Sequence, residues 1–432
     1  MNLPIDTRIS SLHGRSVFDS RGRPTVEVEV ALNCSAIGRA AAPSGASTGS
    51  YEAHELRDGD LRIHAGRGVQ KAIAHVNGEI ASSLIGKNVL DQWALDAFLR
   101  ELDGTELFDR LGGNAVLPAS LAICRAAAAA QGMPLHRYVA SLAGNVSPSL
   151  PLPMVNILSG GAHAARSMDL QDFLVIPVGA KNFAEAMQMV LGVRQAADQV
   201  MSESGLSTLL ADEGGLSPGC KSAEKALDLL MAAIRTAGFE PGLEIAVALD
   251  VAASELYSGE GYELRNEGRR LSSAEMISVV SEWRRRYPII SIEDPLHEDD
   301  WDNWVNLTSS SPGTQIVGDD LFATNVSRIT RGIRMGAANA VLIKLNQNGT
   351  LSGTLEAIAE ARRGGFATIV SARSGETEDA FIADLAVGTG AGQIKIGSVR
   401  TSERMAKYNQ LMRIGEHESL PFGCAGLQKT ST

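Results

Sequence analysis

Residues 244–250 read E-I-A-V-A-L-D, an apolar run of strand length that ends in a carboxylate. Runs of the same kind recur downstream, separated by amphipathic stretches of helical length: I-I-S-I-E (289–293), T-Q-I-V-G-D (314–319), A-V-L-I-K (340–344), F-A-T-I-V-S (366–371) and Q-I-K (393–395). Strands that alternate with helical patterns are typical of βα units around a parallel sheet. About eight such units after residue 150 fit a closed (β/α)8 barrel better than an open sheet.

The first 140 residues show a different pattern. V-E-V-E-V at 26–30 alternates strictly between apolar and charged residues, as a half-buried strand does. Helical patterns follow at 69–85 and in an Ala-rich stretch at 118–131, where alanine favours a buried, close-packed helix. Between the strand and these helices, a loop rich in Gly, Ser and Pro at 43–50 is interpreted as a mobile lid.

Prolines at 148, 151 and 153 mark the boundary between the two patterns. We predict a smaller α+β N-terminal domain over residues 1–140, which carries the lid loop, and an α/β barrel over residues 150–425. A chain of 432 residues is long enough for one large barrel with an attached domain.

The composition argues against several classes of protein. Asp and Glu (50) outnumber Lys and Arg (39), and the net charge of −11 disfavours a basic nucleic-acid-binding face. The four cysteines are far apart and form no C-x-x-C pair, which favours a reducing compartment. Because the sequence shows neither a secretory leader nor an uncharged apolar run long enough for a membrane span, we expect a soluble, cytoplasmic protein.

Carboxylates end three of the successive apolar runs: Asp250, Glu293 and Asp319. In a barrel, the C-terminal strand ends converge on the face that carries the active site. Hard oxygen ligands without nearby His or Cys favour Mg²⁺ over zinc. Any one of these acids could equally be a helix N-cap on a βα loop, but three in succession, followed by a lysine, predict a magnesium site.

Lys344 and Lys395 also lie at the ends of apolar runs, beside the predicted metal. Loss of hydration and a nearby cation both favour the neutral amine, which can act as a general base. A single lysine would be better explained as the ion-pair partner of a strand-end acid. Two lysines next to three carboxylates indicate abstraction of a proton α to a carboxylate.

Two further segments carry candidate site residues. Arg373 and Ser374 follow the strand pattern at 366–371, and a guanidinium beside a hydroxyl suits an oxyanion such as phosphate, although Arg-Ser-Gly is also a common turn. Glu213 precedes two glycines in A-D-E-G-G, where the loop could fold over the site. Glu213 is therefore either an acid of the site or an ordinary loop charge.

The sequence resembles enolase (phosphopyruvate hydratase) over essentially its whole length. The segments that carry the resemblance are D-S-R-G-R-P-T-V-E (19–27), A-A-P-S-G-A-S-T-G (41–49), D-E-G-G (212–215), S-I-E-D-P (291–295), V-G-D-D-L-F (317–322), R-S-G-E-T-E-D (373–379) and A-K-Y-N-Q-L (406–411). The resemblance implies an enolase-type barrel behind a small α+β domain, and a homo-oligomer, usually a dimer. It also implies a glycolytic lyase that removes water from 2-phosphoglycerate to give phosphoenolpyruvate, with Mg²⁺ as cofactor.

The resemblance also implies a role for each matching residue. Asp250, Glu293 and Asp319 would hold the first Mg²⁺, and Ser44 on the lid would reach a second. The remaining matches are Lys344 as the base, Lys395 as the ligand of the substrate carboxylate, Glu213 as the acid for the departing hydroxyl, Arg373 and Ser374 as phosphate ligands, and His163 as the family's loop histidine.

Two positions in the site depart from the family pattern. Ala372 replaces a histidine in S-A-R-S, and Asp172 replaces a glutamate in Q-D-F, which shortens a carboxylate side chain by one methylene. A methyl group beside Arg373 leaves space, and Arg166 adds a cation to the loop after His163. A substrate that is larger or more anionic at its phosphorus end would suit such a pocket.

Three functions therefore stay open at this point. The first is an enolase that acts on 2-phosphoglycerate or a close analogue. The second is an enolase-like enzyme of phosphonate natural-product biosynthesis that forms carboxyphosphonoenolpyruvate. The third is a non-catalytic binding protein, which the intact carboxylates and lysine pair argue against. In the first two cases we expect a small anionic phosphorylated or phosphonylated carboxylate as ligand, and neither a nucleic acid nor a membrane as partner.

Overall fold

The computed structural model describes residues 5–46 and 49–423. Two positions of the predicted lid, Ser47 and Thr48, lie outside the described residues, as does Cys424.

A three-stranded antiparallel sheet opens the chain, with strands β1 (Ile9–Phe18), β2 (Pro24–Leu32) and β3 (Ile37–Ala41) in the order β1-β2-β3. Val26, Val28 and Val30 of β2 are fully buried, whereas Glu27 and Glu29 between them are partly exposed. The half-buried strand predicted from V-E-V-E-V is therefore confirmed.

Five helices follow the sheet: α1 (Gln70–His75), α2 (Ala81–Leu84), α3 (Gln92–Asp103), α4 (Gly113–Ala130) and α5 (Leu135–Leu142). A π-helical turn, Val76–Ile80, joins α1 to α2. Helix α4 begins five residues before the predicted start at Pro118, so this proline lies inside the helix. Proline is best tolerated in a first turn, but the packing of this helix on the sheet outweighs that preference. By length and composition α4 could cross a membrane, yet it is 83% buried inside the protein.

Eight strands form a closed barrel in the order β4-β5-β6-β9-β10-β11-β12-β13. Their bounds are β4 (Leu152–Ser159), β5 (Asp172–Ile176), β6 (Ala246–Asp250), β9 (Ile289–Glu293), β10 (Gln315–Gly318), β11 (Ala340–Ile343), β12 (Ala367–Ser371) and β13 (Gly392–Gly397). A small hairpin, β7 (Tyr262–Leu264) and β8 (Arg269–Leu271), lies between β6 and β9. The predicted closed barrel behind a smaller α+β region is confirmed.

The barrel differs from eight equal βα units at its second strand. Strand β5 runs antiparallel to both β4 and β6, and the segment between β4 and β5 carries a short 3₁₀ helix, Gly161–Ala164. Because β5 is reversed, its first residue lies at the end of the barrel where the parallel strands finish, and Asp172 pairs with Asp250 in the sheet register.

Helices surround this barrel. They are α6 (Phe183–Glu203), α7 (Ala223–Thr236), α8 (Ser273–Arg286), α9 (Trp301–Ser309), α10 (Val326–Met335), α11 (Leu345–Asn348), α12 (Leu351–Arg363), α13 (Phe381–Thr389) and α14 (Ser402–His417). Alternate strand residues, including Leu174, Ala248 and Leu342, fill the inside of the barrel with a separate apolar cluster. The polar residues at the strand ends therefore lie next to a packed apolar barrel interior.

Candidate active site

The C-terminal strand ends surround a small cavity of about 40 Å³. Barrel residues form most of its wall, and Ala46 and Glu52 join them from the N-terminal part of the chain. Seven acidic side chains line this cavity together with two lysines and an arginine: Glu52, Glu213, Asp250, Glu255, Asp294, Asp319 and Asp320 against Lys344, Arg373 and Lys395. The wall therefore carries an excess of negative charge.

Lys395 on β13 lies between two of the predicted metal ligands. Its Nζ is 2.7 Å from Oδ2 of Asp250, at the end of β6, and 2.6 Å from Oε2 of Glu293, at the end of β9. The Asp250 carboxylate also accepts a hydrogen bond from the Gln171 amide at 3.1 Å. Three strand ends that are distant in the sequence thus meet at a single ammonium group.

Asp319, directly after β10, and Lys344, directly after β11, form a second ion pair. The other oxygen of Asp319 accepts a hydrogen bond from Gln347 at 2.9 Å, and Gln347 also reaches Glu52 at 3.3 Å. The Asp319 backbone N–H donates to Asp294 at 2.9 Å. Lys344 and Gln347 thus hold the two oxygens of the Asp319 carboxylate, and Asp294 holds its backbone N–H.

The protonation of the two lysines differs from the sequence prediction. Burial alone would lower the pKa of Lys344, but the facing carboxylates, Asp319 foremost, raise it above its usual value. Burial likewise opposes the charged form of Lys395, and Asp250 and Glu293 raise its pKa well above the usual value. The prediction of neutral amines weighed burial and a cation but left out the carboxylates that face each lysine.

The buried carboxylates repel one another. Burial and the charge of Asp250 raise the pKa of Glu293 well above its usual range. Burial and the charge of Asp319 raise the pKa of Asp320 to about 8. Asp294, Asp319 and Asp320 present oxygens that all lie within 4.8 Å of one another. Closely spaced hard oxygen donors with surplus negative charge are the donor set that a divalent cation such as Mg²⁺ requires, so this cluster fits the predicted ion, although it shares only Asp319 with the predicted ligands.

The predicted phosphate ligands lie side by side on the loop after β12. The Arg373 guanidinium donates to Glu52 at 2.7 Å and to Asn346 at 3.1 Å, and the Ser374 hydroxyl accepts a hydrogen bond from Arg21 at 3.1 Å. Both Arg373 and Glu52 are almost fully buried. Two guanidinium groups thus converge on this side of the cavity.

Ser44, predicted to bind a second Mg²⁺, is buried, and its hydroxyl already has other partners. It accepts hydrogen bonds from Arg21 at 3.2 Å and Arg57 at 3.1 Å, and it donates to Glu55 at 3.2 Å. Within the described part of the chain, the Ser44 hydroxyl therefore contacts none of the carboxylates that line the cavity.

His163 lies between two acids on the opposite side of the cavity. Its Nδ1 is 3.3 Å from Oδ2 of Asp172, and its Nε2 is 3.8 Å from Oε1 of Glu213. Asn156 and Ser159 hold the other oxygen of Asp172 at 2.5 and 2.9 Å. Despite its shorter side chain, Asp172 therefore contacts the loop histidine.

The charges of Glu213 and Asp172 outweigh the burial of His163 and raise its pKa from 6.5 to about 9. His163 in turn lowers the pKa of Glu213, against the effect of burial. At neutral pH the His163 imidazole is therefore protonated and the Glu213 carboxylate is ionised.

Two family models match the sequence. The model described as the enolase N-terminal domain matches residues 9–139, and the model of the enolase C-terminal TIM barrel domain matches residues 147–428. The second match alone covers more than half of the chain. The chain belongs to the enolase family.

Within this enolase-family site, Ala372 and Arg166 line different cavities. Ala372 lines the central cavity together with Arg373. Arg166 lines a neighbouring cavity, where its guanidinium is paired with Glu255 at 3.0 Å. Arg166 therefore adds no positive charge next to Arg373. This weakens the prediction of a pocket for a substrate that is more anionic at its phosphorus end.

The sequence interpretation missed several residues that this enolase-family site brings into contact. Asp294 and Asp320 each directly follow a predicted metal ligand, so the doubled acids in E-D-P and G-D-D were an available signal. Glu52 and Gln347 lie on a loop and a short helix, and their contacts with Arg373 and Asp319 span long sequence separations. Only the folded chain reveals these two residues.

The raised pKa of His163 predicts how the metal-free enolase-family protein responds to pH. A histidine that is easier to protonate in the folded state contributes stability below its unfolded pKa, and this contribution is lost as the pH rises through the folded value. Between pH 6.5 and 9.5 we expect the free energy of unfolding to fall by up to about 3 kcal/mol more in the wild type than in His163→Gln. Urea unfolding across this pH range measures the difference; parallel curves for the two proteins would contradict it.

Proposed function

We propose that this enolase-family enzyme is a Mg²⁺-dependent hydro-lyase of the glycolytic type, which removes water from 2-phosphoglycerate, or a close analogue, to give phosphoenolpyruvate. The observation that carries the proposal is the pair of buried lysines, Lys344 and Lys395, that face the acids of three barrel strands in one cavity. In the metal-free protein the facing carboxylates favour the charged form of Lys344. A cation bound at the same acids would offset their charge, and the neutral amine could then remove a weakly acidic proton next to a carboxylate.

Asp250, Glu293 and Asp319 would hold the metal, with Asp294 and Asp320 as further carboxylates in reach of Asp319. Bound there, Mg²⁺ supplies positive charge that offsets these acids and stabilises negative charge on the substrate carboxylate. The lysines, and the pair of His163 and Glu213, would carry out the proton transfers.

In the proposed reaction, Lys344 takes the proton from C2 of the substrate, and the electron pair of the C–H bond moves into the new C2–C3 double bond. Lys395 faces the substrate carboxylate, where its ammonium stabilises the charge that develops. The C3–O bond breaks, and a proton from the pair Glu213 and His163 converts the leaving hydroxyl to water. The proton that Lys344 gained returns to solvent.

The substrate phosphate is proposed to bind Arg373 and Ser374. Arg373 is buried and held by Glu52, so its orientation is fixed before the substrate arrives, and a planar guanidinium can bind two phosphate oxygens at once. With the phosphate held there, the proposal requires C3 and its hydroxyl to reach Glu213, which lines the same cavity.

Proton NMR of 2-phosphoglycerate in heavy water with the purified protein and Mg²⁺ tests the proposal. Vinyl signals of phosphoenolpyruvate are expected, and the same sample with EDTA is the control. Loss of the C2 proton signal without vinyl signals would mean that the base works and the leaving-group side does not. Absence of both changes would contradict the proposed reaction and favour a non-catalytic binding protein.

Ala372 gives the alternative phosphonate substrate its remaining support, because it lines the cavity at the position where the resemblance to enolase implies a histidine. Under the proposed function, Ala372→His is expected to raise kcat/KM for 2-phosphoglycerate by about tenfold, which corresponds to one recovered hydrogen bond. Steady-state kinetics with Ala372→Leu as the size control measures the effect. If Ala372→His instead abolishes activity on a bulkier phosphorus-containing analogue, an enzyme that forms carboxyphosphonoenolpyruvate is favoured.

We also propose that the protein is a cytoplasmic homo-oligomer, with a dimer as its simplest form. A groove of about 560 Å³ between the N-terminal sheet and the barrel combines Phe18, which is 63% exposed, with basic Arg39 and acidic Glu378. A surface with an exposed aromatic ring and both charges can be self-complementary. Light scattering should give a mass of at least about twice 45.6 kDa, and Phe18→Asp should reduce this mass. A monomeric wild type would contradict the proposal.

The described cysteines Cys34, Cys124 and Cys220 are free, which suits the proposed reducing, cytoplasmic compartment.

A further inference from the structure

A second cavity of about 190 Å³ adjoins the catalytic cavity. Gln171, Ala252 and Glu255 line both cavities. We call the second cavity the annex and define it by the residues that the argument uses: Ala162, Arg166, Met168, Ala252, Glu255 and Leu256. Because the annex is larger than the catalytic cavity and shares a wall with it, a bound substrate can extend from one into the other.

The annex is built by loops that are tied to one another. Arg166 in the β4–β5 loop is paired with Glu255 in the loop after β6, and Asp169 accepts the backbone N–H of Asn266 in the β7–β8 turn at 3.0 Å. Arg166 and Ala252 have φ of 59° and 49°, in the left-handed region that residues other than glycine rarely adopt. Strained backbone of this kind persists where surrounding contacts enforce it and clusters at ligand sites.

The chemistry of the annex favours an uncharged apolar group. Ala162, Met168, Ala252 and Leu256 contribute apolar side chains to its wall, next to polar and charged residues. The charged residues at its edge already have partners, since Arg166 is bound to Glu255, and Glu263 is bound by Arg265 at 3.3 Å and by Arg270 at 2.9 Å. A second phosphate or carboxylate would have to compete with these ion pairs, whereas a short alkyl chain only displaces water from apolar side chains.

The position of the annex identifies the part of the substrate that would enter it. Ala162 directly precedes His163, and Gln171 directly precedes Asp172, so the annex adjoins the group that protonates the leaving hydroxyl. The phosphate ligand Arg373 lies on the other side, after β12. A substituent reaches the annex from the carbon that loses the hydroxyl and not from the phosphorus end.

We propose that the annex binds an alkyl substituent on this carbon, so that the preferred substrate is a 2-phospho-3-hydroxy acid with more than three carbons. The inference rests on the proposed function and names its substrate class. The bonds broken and formed stay the same: C2–H and C3–O break, C2=C3 forms, and water leaves. The product is a substituted phosphoenolpyruvate.

The test compares kcat/KM for 2-phospho-3-hydroxybutanoate and 2-phosphoglycerate in the full-length protein with Mg²⁺. One additional methyl group in an apolar pocket is worth about 10- to 200-fold in specificity, so the wild type is expected to prefer the longer acid by at least about tenfold. Leu256→Trp fills the annex and should reduce this ratio by about tenfold or more. Leu243→Trp, at a residue that is 60% exposed, is the matched control and should leave the ratio unchanged.

Leu256→Ala keeps the test decisive if the tryptophan variant does not fold. This variant enlarges the annex and should shift the preference toward 2-phospho-3-hydroxypentanoate. Turnover of 2-phosphoglycerate without a preference for either longer acid would overturn the inference and leave the proposed function standing. An unchanged ratio in both Leu256 variants would do the same, whereas a wild type inactive on all three acids would overturn the proposed function together with the inference.

Discussion

Lys344→Met is expected to lower kcat for the elimination by about 10²- to 10⁴-fold, the usual contribution of a general base. The reason is geometric: Lys344 is a buried amine of the cavity, directly after β11, and methionine has a similar length without a proton acceptor. Exchange of the C2 proton with heavy water should disappear together with product formation, because both require the same base.

Two measurements separate this result from a general loss of structure. Thermal unfolding of Lys344→Met shows whether Asp319, which loses its ion-pair partner, destabilises the fold. Lys221→Met, at an exposed lysine before α7, is the matched control and should keep full activity. Retained proton exchange in Lys344→Met would assign the base to another residue, with Lys395 the first candidate.

Glu213→Gln is expected to lower elimination by about 10²-fold or more while proton exchange at C2 continues. Glu213 is buried, lies 3.8 Å from His163 and lines the same cavity as Lys344. Glutamine keeps the shape but can neither hold nor relay a proton, so the hydroxyl leaves poorly. The two half-reactions should therefore separate in this variant and not in Lys344→Met.

Parallel NMR measurements of exchange and vinyl formation report the two rates for the same sample. Asp212→Asn is the matched control, because Asp212 is exposed and directly precedes Glu213. Equal loss of both rates in Glu213→Gln would contradict the division of labour. In that case Glu213 would act in substrate binding, and His163 alone would remain as the source of the proton.

The barrel was predictable from the sequence where the signal is local. The apolar runs that end at Asp250, Glu293 and Lys344 coincide with the ends of β6, β9 and β11, because a buried parallel strand needs a continuous apolar segment. Strand β5 breaks this rule, since it is antiparallel and carries its polar residue, Asp172, at the start. A search for charged strand ends therefore passes over it.

The details of the site depend on contacts that no local pattern encodes. Arg373 is paired with Glu52, which lies more than three hundred residues earlier in the chain. No local sequence pattern around either residue predicts this ion pair. The hydroxyl of Ser44 is bound by Arg21 and Arg57, although the lid motif suggested a metal ligand. Lysine protonation likewise depends on the number of carboxylates that the fold collects around each amine.

The Glu52–Arg373 ion pair has a consequence for how the molecule can be divided. Arg21 binds Ser374, and the backbone of Ser44 pairs with Gly375, so the N-terminal domain contacts the loop that is proposed to bind phosphate. The two family models divide the sequence near residue 140, but the residues that line the candidate active site come from both sides of that division. A chimera of this barrel with another N-terminal domain would therefore need to keep Arg21, Ser44 and Glu52. These three residues of the N-terminal domain contact the barrel loop that carries Arg373 and Ser374.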